Sequence, residues 1–182
     1  MNAAWIDLET TGTDETDGSI LEVGLVIADA DDRILHERDW LVSPDPAHMV
    51  RLAPVVAEMH RRSGLYADLQ ANRRLPRPAD VDRQIAAYLD PYTVDGRIIL
   101  AGSGVAHFDA RWIRHHLPAT ARRLTYWTHD VGVVRRFLRT VDPTLVRPAP
   151  DKAHRGLTDA HDHLAEWRHY RAALRDLTTP NR

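Results

Sequence analysis

An α/β fold with one mixed, five-stranded sheet flanked by helices follows from three observations on the sequence. Three strand-like runs crowd the first 45 residues, two short strand patterns follow residue 95 with helical patterns after each, and the intervening segment is mostly of helical spacing. Strands first, then strand–helix alternation, is the signature of a sheet that mixes antiparallel and parallel neighbours.

The elements justify themselves in order. Residues 4–8 read as a short strand, 13–18 as a charged turn, and 20–28 as a strongly apolar strand. Asp29-Ala30-Asp31-Asp32 is a turn, and residues 34–42 alternate well enough for a third strand, so the domain opens as two hairpins. Residues 46–90 carry mostly helical pattern, broken by a polar loop at 70–78. A brief apolar strand at 98–101 ends in Gly102-Ser103-Gly104, and a helix over 106–117 is stopped by Pro118. A strand at 124–128 leads to Asp130, the predicted N-cap of a helix through Arg139. Residues 143–150 hold three prolines and read as a loop. The last helix is expected over 157–174, with Leu157, Ala160, Leu164 and Trp167 at core-facing spacing.

Length and composition bound the function. The 182 residues suit a single domain spanning the chain, and 43% hydrophobic content suits an ordinary globular protein. With no cysteine, disulfides and thiolate zinc sites are excluded. No run of 18 apolar residues occurs, and the N-terminus lacks the basic-then-apolar order of a signal peptide, so a cytoplasmic location is expected. The net charge of −2 argues against bulk polyanion binding, unless the acids gather around cations that invert the local sign. Lys152 is the only lysine, leaving arginine, suited to bidentate phosphate contacts, as the main source of positive charge.

Two sets of carboxylates sit where they are costly, and a third element pairs an acid with a histidine. Strand alternation puts Trp5, Asp7 and Glu9 on one face and Ala4, Ile6 and Leu8 on the other. The two acids are then roughly 6.6 Å apart along the strand, where like charges repel and both residue types are poor strand formers. A divalent cation with hard oxygen ligands relieves this, as would a strand that ends at Asp7 and leaves both acids in a solvated turn. Asp109 falls within the arc of Phe108, Trp112, Ile113 and His116, where a carboxylate needs a metal or an arginine partner. In His154-Arg155-Gly156-Leu157-Thr158-Asp159, a histidine precedes a helix whose first turn carries an acid. The helix dipole alone accounts for Asp159. A histidine, which titrates near neutral pH, suits His154 to take a proton from water.

Together these segments resemble the motifs of the DEDD superfamily of 3′→5′ exonucleases, in its histidine-bearing branch. Asp7-Leu8-Glu9-Thr10-Thr11-Gly12 is similar to the first motif, His107-Phe108-Asp109 with Ala110-Arg111-Trp112-Ile113 to the second, and His154 with Asp159 to the third. The likeness is nearest to the oligoribonuclease family. It is carried by Trp5 through Glu9, by His154 through Arg171, by His60 before Ser63-Gly64-Leu65, and by Tyr126 before Asp130-Val131. The resemblance implies a ribonuclease H-like fold, with Asp7, Glu9, Asp109 and Asp159 as ligands of two Mg²⁺ or Mn²⁺ ions and His154 as general base. It also implies contacts to a single-stranded RNA or DNA 3′ end from Leu8, Thr10, Thr11, Gly12, Thr13, His60, Phe108, Tyr126 and Trp127. As aromatic residues, Tyr126 and Trp127 suit either stacking on a base or ordinary core packing. A homodimer is implied as well.

Departures from the family are equally specific. Thr13 stands where oligoribonucleases carry a leucine wedge, Trp127 replaces a phosphate-contacting arginine, and Gly132-Val133 replaces a hydroxyl pair. The stretch from Gly102 to Asp109 is longer and nearer to ribonuclease T-like and proofreading exonucleases. These changes predict a site that accepts strands longer than a dinucleotide. Two other readings start from the same residues. His129-Asp130 and His161-Asp162 suggest an HD-type phosphohydrolase, which is all-helical and at odds with the strand-rich start. A catalytically silent nucleic-acid-binding protein on the same fold would leave clustered acids as an uncompensated cost. Zinc at His154, His161, His163 and His169 is disfavoured because His161 and His163 do not share a helix face.

Overall fold

The computed structural model describes residues 1–148 and 152–178. Five strands form one sheet: β1 (Ala3–Thr10), β2 (Ile20–Ala28), β3 (Ile34–Leu41), β4 (Ile98–Gly102) and β5 (Leu124–Asp130), in the spatial order β3-β2-β1-β4-β5. β1–β2 and β2–β3 pair antiparallel, while β4 lies parallel to both β1 and β5. This is the mixed, helix-flanked sheet of the ribonuclease H-like class that the sequence predicts. The helices are α1 (Pro46–Val50), α2 (Pro54–Arg62), α3 (Leu65–Ala71), α4 (Pro78–Leu89), α5 (Asp109–His116), α6 (Pro118–Ala121), α7 (Val131–Val141) and α8 (Gly156–Thr178).

Every residue of β1 is buried because both faces of the sheet are covered. Ala4, Ile6 and Leu8 pack with α4 and α5 residues such as Ile85 and Trp112 on one face. Ala3 and Trp5 pack against Ala160 and Leu164 of α8 on the other, with Trp5 and Trp167 ring centroids 5.8 Å apart. The alternation read from the sequence therefore holds, and it turns Asp7 and Glu9 toward the α8 face. β1 does not end at Asp7; it continues to Thr10, so the solvated-turn reading of these acids is excluded.

Several boundaries shift: β1 spans Ala3–Thr10, β5 runs to Asp130 and α7 to Val141. The helix expected from residue 106 begins at Asp109, because Gly104 at φ 74° turns the chain and residues 105–108 form turns first. α8 extends over Gly156–Thr178, longer than the 157–174 expected. Within the proline-bearing stretch a single 3-10 turn forms at Pro143–Leu145, and positions 149–150 lie outside the described residues. Asp130 caps α7 as expected, its side chain accepting from Val133 N at 3.1 Å. Among the described residues no helix is long and apolar enough to cross a membrane.

Candidate active site

The β1 end that carries Asp7 and Glu9 meets the start of α8 over an unusually close approach. Gly24 lies opposite Asp7 in the β1–β2 register. A Cβ on Gly24 would fall 1.9 Å from the Gly156 carbonyl carbon, and one on Gly156 would fall 2.9 Å from the Asp7 backbone oxygen. Only two glycines allow the first turn of α8 to rest on the sheet there. Glu22, almost fully buried at 1% exposure, accepts from Gly156 N at 2.8 Å and from the Arg155 guanidinium at 2.9 Å. It thereby satisfies one of the free N–H groups of α8. Arg155 also meets Asp68 of α3 at 2.9 Å.

This anchoring brings His154 and Asp159 to Glu9. One ligand atom from each of Glu9, His154 and Asp159 lies within 4.8 Å of the others. His154 is held at φ 52°, in the left-handed region that non-glycine residues enter only when their surroundings impose it. Asp109, the first residue of α5, is 4% exposed, and its Oδ1 accepts from Leu8 N of the central strand β1 at 3.1 Å. The Asp109 carboxylate therefore reaches the strand carrying Asp7 and Glu9, and no arginine pairs with it among the described residues.

Electrostatics fit a missing positive charge. Burial first, and then the neighbouring Asp109, raise the Asp7 carboxyl well above the usual carboxylate range. Burial, with repulsion from Asp159 and Glu22, pushes Glu9 up to about 8. Burial pushes Asp109 up to about 7, against the lowering effect of its bond from Leu8 N. Asp159 is raised by burial, and Lys152 and His154 only partly offset this. The Asp159 Oδ2 atom is buried with no hydrogen-bond partner. An orphaned carboxylate oxygen among acids that resist ionisation is what a hard cation would satisfy. The donor set, oxygen-rich with imidazole nearby, fits a divalent ion.

The remaining predicted residues divide into three groups. Leu8 lies in the core at 5% exposure, and only its backbone N–H faces the site. Thr10 and Thr11 build the turn after β1: Thr10 Oγ1 donates to Gly12 O at 2.7 Å, and Thr11 Oγ1 accepts from Ser19 N at 2.9 Å. Gly12 and Thr13 follow on the accessible side of this turn. His60, fully buried, donates Nε2–H to Thr10 O at 2.9 Å and sets Nδ1 3.7 Å from Glu9 Oε2. Phe108 packs partly buried against Trp112, centroids 5.9 Å apart. Tyr126 and Trp127 stand on β5 at 92% and 47% exposure; Tyr126 lines a cavity of about 240 Å³ with Arg97 and Arg114. That cavity includes none of the four carboxylates. A larger groove of about 590 Å³ runs beside His154, between Met59 and Arg62 of α2 and Lys152.

Sequence reading passed over Glu22 and Arg155, and it named Lys152 and His163, the latter as a disfavoured zinc ligand, without placing either beside the carboxylates. Glu22 carried a usable signal, an acid inside the apolar run at 20–28. His163 carried none, since its partner Asp7 lies in another element. The HD-type pairs dissolve in three dimensions. His129 stacks on Trp167 at 4.8 Å while Asp130 caps α7, and His161 meets Glu37 at 3.0 Å.

The chain is similar to known exonucleases. The RNase_T family model, described as an exonuclease, matches residues 4–166. The oligoribonuclease of Nocardia farcinica is 32% identical over 92% of this chain and 78% of its own length, and that of Streptomyces avermitilis 32% identical over 93% and 85%. The oligoribonuclease of Photobacterium profundum is 28% identical over 94% of both chains. Among solved structures, a product-bound exonuclease I superposes with a TM-score of 0.73 at 13% identity over 97% of this chain. Escherichia coli exonuclease I with a dT13 oligonucleotide gives 0.66 at 14% identity, also over 97%. The chain spans only about two-fifths of those exonuclease I chains, 44% and 43%, and at this identity they share the fold alone.

Proposed function

The chain belongs to the RNase_T exonuclease family, with oligoribonucleases among its relatives, and is a 3′→5′ exonuclease; from that premise we propose that it releases nucleoside 5′-monophosphates from single-stranded 3′ ends using Asp7, Glu9, Asp109, Asp159 and His154. The observation that carries this reading is the cluster of buried carboxylates whose protons are held unusually tightly, with His154 within 4.8 Å of Glu9 and Asp159. The family match over residues 4–166 supports reading the whole chain as one exonuclease domain.

Exonucleases of this family depend on metal ions. Asp7, Glu9, Asp109 and Asp159 would hold two Mg²⁺ or Mn²⁺ ions, a charge match for four carboxylates. When bound, such ions stabilise the attacking and leaving oxygens of an in-line displacement at phosphorus. The protein's own contribution is positional. Leu8 N–H fixes the Asp109 carboxylate, the Gly24–Gly156 contact and the Glu22 cap fix the start of α8, and His154 then accepts the proton of the attacking water.

Substrate length is where family likeness and residues part. Thr13 is exposed and too small to wedge between bases, Gly132 is buried, and Trp127 offers a ring in place of a guanidinium. Without those contacts nothing identified among the described residues rejects a longer strand, so single-stranded RNA or DNA of many nucleotides is the substrate class we propose. A homodimer, as the oligoribonuclease likeness implies, would cover the exposed Val133, Phe137 and Val141, which recur every four residues along α7. The test is kcat/KM for 2-mer, 5-mer and 20-mer RNA and DNA, labelled at the 5′ end, with Mn²⁺ present. Stepwise shortening from the 3′ end and a 2-mer preference below about a hundredfold, near 2.7 kcal/mol, are expected. A larger preference would mean that other residues rebuild a dinucleotide cap, and no hydrolysis at all would favour the silent binding protein.

A further inference from the structure

One buried group beside the carboxylates has no assigned work. His163 of α8 is 5% exposed, and its Nδ1 is buried with no hydrogen-bond partner. That atom lies 3.9 Å from Asp7 Oδ1. The ring borders a cavity of about 80 Å³ together with Asp159, Lys152 and the Arg135–Glu166 ion pair. Leaving a buried ring nitrogen unpaired carries its desolvation cost uncompensated, so the position calls for a partner.

The distance decides which partner. At 3.9 Å the two atoms are too far apart for a hydrogen bond. Two donors each about 2.0–2.2 Å from one cation are separated by roughly 3 Å at a right angle and a little over 4 Å when opposite. The observed gap falls inside that range, so one cation could bridge the two atoms after a small adjustment of either side chain. Other candidates for the orphan are occupied. Glu166 is bound by both Arg135 nitrogens at 2.6 Å and by Tyr170 Oη at 2.6 Å. No hydrogen bond or ion pair joins His163 to Asp162, Lys152 or Ser103.

We propose that His163 Nδ1 is a further donor to the divalent ion that Asp7 holds, turning an all-oxygen position into a mixed nitrogen–oxygen one. This rests on the metal-ligand reading of Asp7. Its chemical consequence is selectivity. Imidazole suits the later first-row ions, whereas Mg²⁺ favours oxygen, and affinity at a nitrogen-bearing site rises from Mn²⁺ toward Co²⁺. The position should therefore bind Co²⁺ and, more weakly, Mn²⁺ in preference to Mg²⁺.

The experiment reads the metal directly. His154 is itself a nearby imidazole, so pulsed EPR of bound Mn²⁺ is run on His154→Ala and on His154→Ala/His163→Asn. Nitrogen coupling from one imidazole is expected in the first and its loss in the second. Calorimetry on the single variant His163→Asn, which keeps a polar oxygen at the position, should show Co²⁺ affinity reduced about tenfold and Mg²⁺ affinity changed less than about twofold. His163→Leu with unchanged thermal unfolding in EDTA provides the same comparison if the asparagine perturbs packing. Mn²⁺ bound to His154→Ala without nitrogen coupling, or Co²⁺ and Mg²⁺ affinities falling together, would overturn the assignment while leaving the carboxylate site standing. Failure of the wild-type protein to bind Mn²⁺ would overturn the carboxylate site as well.

Discussion

Replacing Glu9 by glutamine should stabilise the metal-free protein at alkaline pH and have almost no effect at pH 5. Glu9 is raised from 4.5 to about 8, a shift of about 3.5 units. At 1.36 kcal/mol per unit, keeping it ionised in the folded state costs about 5 kcal/mol relative to the unfolded chain. Water entering around the ionised group offsets part of that cost, so an observed gain of about 2–3 kcal/mol is expected. The sign follows from proton binding. With a folded pKa above the unfolded one, the native state holds more protons between about pH 4.5 and 8, so stability is full below that window and falls as pH rises through it. Asp7, Asp109 and Asp159 are shifted in the same direction, so the variant's stability still falls with pH, but less steeply. Glutamine mimics the protonated acid, which is why the two proteins should coincide at pH 5. The assay is urea and thermal unfolding in EDTA at pH 5 and pH 8.5. For a chain of this size the gain amounts to roughly 5–10 °C in Tm at the higher pH. Adding Mn²⁺ at pH 8.5 should raise the wild-type Tm by mass action and move the variant far less. Equal stability of the two at pH 8.5, or a variant that keeps both the Mn²⁺-dependent rise and the hydrolysis rate, would refute the reasoning.

Asp109→Asn should abolish hydrolysis while keeping the fold, since the amide oxygen can still accept from Leu8 N; gel assays and circular dichroism separate the two effects. His154→Ala should lower kcat by roughly 10²–10⁴-fold with KM little changed, as for loss of a general base; an unaltered kcat would exclude that role. Gly24→Ala should cost about 1–3 kcal/mol in urea unfolding and reduce activity, because its Cβ would meet Gly156 backbone at 1.9 Å and displace the segment carrying His154 and Asp159. Trp127→Ala should raise KM for single strands by an amount corresponding to roughly 1–3 kcal/mol of lost stacking with kcat retained; an unchanged KM would remove Trp127 from the substrate path.

The sequence by itself determined the element order, because periodicity is local. Alternation in residues 3–10 assigned Asp7 and Glu9 to one face, and Asp130 announced the α7 cap. Asp7, Glu9 and Asp109 were legible as candidates for a related reason, whereas Asp159 and His154 were picked out by the family resemblance. Acids inside β1 and on the buried arc of α5 violate local preference, and such violations stand out against an apolar pattern. Only the tertiary structure decided what those violations meet. Glu22 looks as costly as Glu9 in the sequence and lies opposite it in the sheet, yet Arg155 and Gly156 N satisfy Glu22 and leave Glu9 without such a partner. Gly24 and Gly156 are ordinary glycines until α8 is laid across the sheet, when each removes a Cβ the other could not tolerate. His163 and Asp7 are separated by most of the chain, and their 3.9 Å approach exists only because α8 packs against β1. Long-range juxtaposition of this kind depends on how covered faces stack, a property of no single window of residues, and it is what turns a set of misplaced charges into a site.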